Sequence, residues 1–134
     1  MINFSSTTPA AIGGGTLVTW QEDSSGNVSG YVAKVKQTVA AVAGALTIDA
    51  SAGSSFLVPV TAIISSMSIT NPSDGQEITI LFQQDSTGYA VTLAANMLGC
   101  TAVTITANKN SIYKLSYNVG DTNWYCLSSN VNIS

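Results

Sequence analysis

The sequence predicts an all-β fold: an antiparallel β-sandwich or jelly-roll-like domain preceded by an extended N-terminal arm. Three observations carry this. Runs of four to eight residues alternate between two faces, as in the apolar Ile78, Ile80 and Phe82 against the mixed Thr79, Leu81 and Gln83. Clusters such as "DSSGN" (23–27), "SDGQ" (73–76), "DSTG" (85–88) and "VGDTN" (119–123) punctuate these runs. Their glycines supply positive φ, and their Asp and Asn side chains bond the local backbone. Helical periodicity is scarce, with "TVAAVAGAL" (38–46) the one stretch that fits either period.

In chain order, strands are expected at Thr16–Trp20, Val28–Val32, Lys34–Val42, Ala45–Ala50, Ser55–Val60 and Ile64–Thr70. Further strands are expected at Glu77–Gln83, Ala90–Ala94, Ala102–Thr106, Ile112–Tyr117 and Trp124–Leu127. Each is rich in β-branched or aromatic residues, and short strands at such spacing favour a sandwich or barrel. The 134 residues are one ordinary domain's worth, able to bury roughly two thirds of the unfolded surface. Residues 1–15, "MINFSSTTPAAIGGG", have the small, polar, glycine-rich composition of an arm, and residues 16–134 make up the β-domain. A composition boundary also falls near residue 36, without implying two folded domains. Ile2 and Phe4 are the arm's natural anchors, since an otherwise polar arm has few other groups able to bury apolar area. Leu17, Val18 and Trp20, on the strand that follows, extend the same candidate partner-binding surface.

Charge narrows the function classes. Only 8% of residues are charged, histidine and arginine are both missing, and the net charge is −3. Lys34, Lys36, Lys109 and Lys114 are the whole cationic inventory, so no basic patch exists to neutralise phosphates, and nucleic acid is not an expected partner. Soluble monomers usually carry roughly 25–35% charged residues on their surface. A neutral polar exterior on a β-rich chain is poorly protected against pairing with other chains, and composition fits both a subunit packed among partners and a neutral, secreted β-domain. Residues 1–12 lack the basic start and apolar core of a signal peptide. The apolar stretch "VAAVAGALTI" (39–48) is too short for the ~20 residues of a membrane-spanning helix, so no membrane partner is expected.

The residues that could carry chemistry are few. Asp74 and Asp85 sit in turns on either side of the 77–83 strand, and turn aspartates that bond their own backbone need no further role. A glycosidase would need two carboxylates roughly 5–10 Å apart, whereas a strand rising ~3.3 Å per residue holds these two at opposite ends. No serine lies in a Gly-x-Ser-x-Gly context, and no histidine is present to activate one. Asp49, Asp74, Glu77, Asp85 and Asp121 would have to converge in space to bind calcium, and no loop has the ligand spacing. No catalytic, cofactor or metal residues are therefore assigned. Trp20, Tyr31, Tyr89, Trp124 and Tyr125 could form a sugar-binding platform, but core packing explains them better; of the adjacent pair Trp124 and Tyr125, one should face the core and one the surface. Cys100 and Cys126 form no CxxC motif; a pair of buried free thiols is preferred to a disulfide, with both left open.

Two stretches resemble a known group of proteins. "ITNPSDGQEITILFQQDSTGYAVTLAANM" (69–97), followed after a variable loop by "SIYKLSYNVGDTNWYCL" (111–127), is similar to a β-domain of tailed-bacteriophage virion proteins. The shared pattern is an Asn-Pro-x-x-Gly-Gln turn, a strand ending in Gln-Asp-x-x-Gly, a Val-Thr-Leu strand and a closing strand with Asn-Trp-Tyr. This resemblance spans Leu46 to Cys126, about 80 residues. "TLVTWQEDSSGNVSGYV" (16–32) is similar to a short segment of other phage structural proteins. The resemblance implies a non-enzymatic structural module of the virion, assembled in the host cytoplasm and commonly a homotrimer, whose partners are the major capsid protein or other virion proteins. An arm and one β-domain without a long repetitive shaft are proportioned like a capsid decoration, or cement, protein. The alternative is a head- or tail-fibre subunit that binds a host receptor or glycan.

Overall fold

The computed structural model describes the backbone of residues 11–12, 16–22 and 28–32, and residues 36–134 in full. The fold is all-β, and the chain divides into two compact units, Met1–Val35 and Lys36–Ser134. In the first unit, β1 (Ala11–Ile12), β2 (Thr16–Glu22) and β3 (Val28–Val32) form an antiparallel three-stranded sheet in that order. The turn signal at 23–27, between β2 and β3, lies outside the described residues.

The second unit holds β4 (Gln37–Thr38), β5 (Ala45–Asp49), β6 (Ser55–Val60), β7 (Ser66–Thr70), β8 (Glu77–Gln84), β9 (Met97–Leu98), β10 (Asn110–Asn118) and β11 (Asn123–Ile133). Six of these make one sheet, in the order β4-β6-β8-β10-β11-β9, while β5 and β7 pair separately. The expectation of purely antiparallel sheets is corrected here, because β4/β6, β6/β8, β5/β7 and β9/β11 are parallel. Only β8/β10 and β10/β11 are antiparallel in this unit. The chain passes from β5 to β6, to β7 and to β8, so that β6 and β8 stack in one sheet and β5 and β7 in the other. Alternation of side chains is the same in both strand directions, which is why the sequence pattern did not reveal the crossovers.

The alternation itself translates directly into burial. β6 and β8 turn Phe56, Val58 and Val60, and Ile78, Ile80 and Phe82, inward; β10 adds Ser111, Tyr113, Leu115 and Tyr117. Register aligns Phe56, Ile80 and Tyr113 in one row and Val58, Phe82 and Ser111 in the next. Phe82 and Tyr113 meet edge to face, with ring centroids 5.8 Å apart, a favoured aromatic geometry. Leu46 and Ile48 of β5, together with Ile64, Ala94, Met97, Val103 and Trp124, complete the same core.

Three expected strands are absent or reduced among the described residues. Of Lys34–Val42 only Gln37–Thr38 pairs as a strand. Ala90–Ala94 keeps a single bridge, from Val91 to Ile64, and Ala102–Thr106 is irregular. The alternative helix at 38–46 does not form; the described helical turn is Ala50–Ala52, capped by the Asp49 side chain. β9 has no counterpart in the sequence reading, since two residues give no periodicity.

Candidate interaction surface

The outer face of the six-stranded sheet is the mirror of its core. Leu57, Leu81 and Ile112 are neighbours across β6, β8 and β10, one apolar row that is half-buried on the side away from the core. Ser55, Thr79 and Lys114 line one flank, and Pro59, Gln83 and Asn110 the other. Beyond lie Glu77, Ser116, Tyr125 and Leu98, again in one cross-strand line. Glu77 and Lys114 form an ion pair at 3.3 Å with both side chains about half exposed, a geometry worth only ~0–1 kcal/mol. The row was not found in the sequence because it exists only once the register of three strands is known.

The candidate partner-binding residues fall on different ground. Ile2 and Phe4 lie outside the described residues. Leu17, Val18 and Trp20 belong to β2, where Leu17 is opposite Ala11, Val18 opposite Val32 and Trp20 opposite Gly30.

The acidic residues act as turn locks. Asp74 Oδ1 accepts the Val119 amide at 3.1 Å, which ties the 72–76 turn to the β10–β11 turn. Asp85 Oδ1 accepts the amides of Thr87 at 2.8 Å and Gly88 at 3.2 Å. The two aspartates stand at opposite ends of β8, as its length requires. Asp49 accepts from Ser51 N and Oγ and from Asn71 Nδ2, and Asp121 accepts from Asn123 N and the Tyr125 hydroxyl. Among the described residues no group of three or more His, Cys, Asp or Glu is placed to hold a metal ion.

Gln76 and Gln84 do work that the sequence reading missed. Gln76 Nε2 donates to Ala50 O at 2.6 Å while its Oε1 accepts Ser73 N, so the Asn-Pro-x-x-Gly-Gln turn is stapled to the β5–β6 connection. Gln84 is buried, donating to Tyr89 O and Thr104 O at 2.7 Å each and accepting Tyr89 N at 2.9 Å. Its three bonds satisfy the amide and anchor two irregular segments, which explains why a polar residue is tolerated there. Ending the strand at Gln83 hid it; extending the alternation of 78, 80 and 82 by one step puts residue 84 inside.

The aromatic pair divides as the alternation requires: Trp124 is fully buried against Tyr117, with ring centroids 4.9 Å apart, and Tyr125 is exposed. Burial pushes the Tyr113 hydroxyl up to about 12, and this hydroxyl donates to Thr101 O. The preference for two buried free thiols is corrected: Cys100 and Cys126 form a disulfide with Cα atoms 5.3 Å apart, and both are half-exposed. The parallel pairing of β9 with β11 brings them together despite a separation of 26 positions in sequence.

Hydrogen bonds from Tyr125 and from Ser51 and Asn71 hold the carboxyls of Asp121 and Asp49, respectively, below their ordinary value. A depressed carboxyl pKa contributes stability that is present above the unfolded-state value, about 4, and is lost as pH falls through the lower folded-state value. The wild-type melting temperature should therefore fall below pH ~4 more steeply than that of an Asp49→Asn/Asp121→Asn variant. Parallel acid limbs in scanning calorimetry of the two proteins would contradict this.

No protein-family model matches the chain, and no curated protein matches it. Among solved structures, one described as "Structure of a chaperone-substrate complex" is similar at 15% identity and a TM-score of 0.43. The similarity covers 87% of this chain but only 20% of that one, so this chain spans about a fifth of its length. At that score the likeness carries no argument about fold or function.

Proposed function

We propose that the protein is a bacteriophage virion structural protein acting as a capsid decoration protein: a non-enzymatic homotrimer that binds the major capsid protein and stabilises the shell. The observation that carries this reading is the outer sheet face, where the Leu57–Leu81–Ile112 row is framed by uncharged polar side chains and a single weak ion pair. Such a face suits repeated, geometry-dependent contact with other subunits. The turn motifs that carry the phage resemblance fit the same reading, since Asn71, Asp74, Gln76 and Asp85 are all engaged in holding turns. Multivalent attachment raises avidity by roughly 10²–10⁴ without any one strong site. We read the fine fold as two β layers of sandwich-like arrangement whose parallel stacking gives them the character of a short β-solenoid closed by the β10–β11 hairpin.

Deleting residues 1–15, which also removes β1 from the edge of the first unit's sheet, should leave a folded trimer by light scattering that no longer binds capsids, because ordering the rest of so polar and glycine-rich an arm needs a partner to offset ~1–2 kcal/mol of backbone entropy per residue. A truncated protein that decorates shells as well as the intact one would remove the anchoring role. The stacked parallel strands favour a second reading, a fibre subunit that recognises a host receptor or glycan, because stacked coils are a way of building a shaft. Hundreds of copies per particle on a gel of purified virions support decoration, and a few copies support the fibre.

A further inference from the structure

We propose that the Cys100–Cys126 disulfide is a latch that closes after the chain has folded, giving the segment Gly99–Asn108 a loose reduced state and a locked oxidised one. This goes beyond the virion reading and does not rest on it.

The segment has no strand pairing, yet it covers core: Val103 is buried within it, and Ser111 and Tyr113 are fully buried on the adjoining strand β10. Its two ends are held very differently. Towards residue 108, Gln84 Nε2 donates to Thr104 O at 2.7 Å, Thr104 N donates to Ser111 Oγ at 3.0 Å, and Asn108 N donates to Asp85 O at 2.8 Å. These partners are buried or backbone groups on the sheet. Towards residue 99, Tyr113 OH donates to Thr101 O at 2.8 Å, the Thr101 amide donates to the half-buried Ser129 hydroxyl at 3.4 Å, and that hydroxyl donates to Thr101 Oγ1 at 3.1 Å. The cross-link thus sits at the end that side-chain bonds alone hold, with no backbone–backbone bond among the described residues.

Backbone pairing alone positions the thiols. β9 and β11 pair with Met97 opposite Trp124 and Leu98 opposite Tyr125, and the buried Trp124 and Met97 side chains fix that register. Cys100 and Cys126 therefore approach each other whether or not they are bonded, and because both are half-exposed a small disulfide reagent can reach them. Closure is an ordinary exchange. One cysteine thiolate attacks a sulfur of a low-molecular-weight disulfide such as oxidised glutathione and expels one thiolate. The second cysteine then attacks the mixed disulfide and expels the other. Two protons and two electrons leave the protein, and one glutathione disulfide becomes two glutathiones. Thiol-rich surroundings such as a cytosol keep the latch open, and oxidising surroundings close it.

The test uses the full chain, purified in dithiothreitol and then treated with oxidised glutathione. The reduced protein should show the same far-UV circular dichroism and a cooperative melt, and it should oxidise to completion without denaturant. Oxidation should lower the unfolding equilibrium constant by roughly two orders of magnitude, as expected for closing a loop of this length. Thermolysin should cut the reduced form within 99–108, before Val103 or Ile105, and leave the oxidised form intact there. The Cys100→Ser/Cys126→Ser variant should behave as the reduced protein does. An unfolded reduced chain overturns the proposal, because the bond would then be a requirement of folding. Equal melting temperatures and equal digestion of the two redox forms also overturn it, because the bond would then lock nothing.

Discussion

Gly88→Ala is expected to lose about 3–5 kcal/mol of stability, a magnitude reserved for a few specific mechanisms. Two of these coincide at this residue. Its φ of +82° is costly for any residue with a Cβ, at roughly 1–2 kcal/mol. A Cβ built there would also lie 2.1 Å from Ile105 O and 3.1 Å from Ala107 N, and both are backbone atoms that cannot rotate away. Accommodating the methyl group means displacing 105–107, which strains the Asn108–Asp85 and Gln84–Thr104 bonds on either side. Gly75 provides the control, since its φ is +73° but nothing lies within 4 Å of its would-be Cβ. Gly75→Ala should cost only the conformational part, about 1–2 kcal/mol. Urea denaturation followed by circular dichroism measures both, and equal losses would show that the close approach at Gly88 does not matter.

Trp124→Ala is the second large effect, an expected loss of about 3–5 kcal/mol. The side chain is fully buried, leans on Tyr117 and stands opposite Met97 at the β9 edge, so its removal opens a cavity between the hairpin and that edge. Trp124→Phe should be much milder, below about 2 kcal/mol. The indole Nε1 is buried without a hydrogen-bond partner among the described residues, and phenylalanine removes that unpaired donor together with part of the ring. A phenylalanine variant as unstable as the alanine one would mean that indole shape, and not aromatic bulk, holds the register of β9.

How far the sequence could be read depended on whether the relevant periodicity was local. The inward sets of β6, β8 and β10 follow from alternation alone, and Val28–Val32 and Ser55–Val60 emerge with the expected bounds. Strand direction leaves no such trace, so the parallel crossovers were invisible. Ala102–Thr106 has strand-like composition yet stays irregular. The Thr104 backbone groups within it bond the side chains of Gln84 and Ser111 in place of a neighbouring strand, and the composition of the segment does not show those partners. The cysteine pair, too, depended on the β9–β11 contact and not on spacing. At the surface, the local turn role of Asp85 was legible from "DSTG", whereas Asp74 bonds the Val119 amide 45 residues away instead of its own turn, and the apolar row required the register of three strands.

The six-stranded sheet begins and ends with strands of two residues, β4 and β9. Each covers only part of its neighbour, β9 pairing with Trp124 and Tyr125 of the eleven-residue β11 and β4 with Phe56 and Leu57 of β6, and short edge strands are one way natural sheets avoid runaway polymerisation. The faces of the sheet offer a different kind of contact. Recognition there is read by side-chain shape, so it can tell the right neighbour from the wrong one. Backbone edges make no such distinction, and lengthening β9 along β11 would only move such an edge outward by one strand.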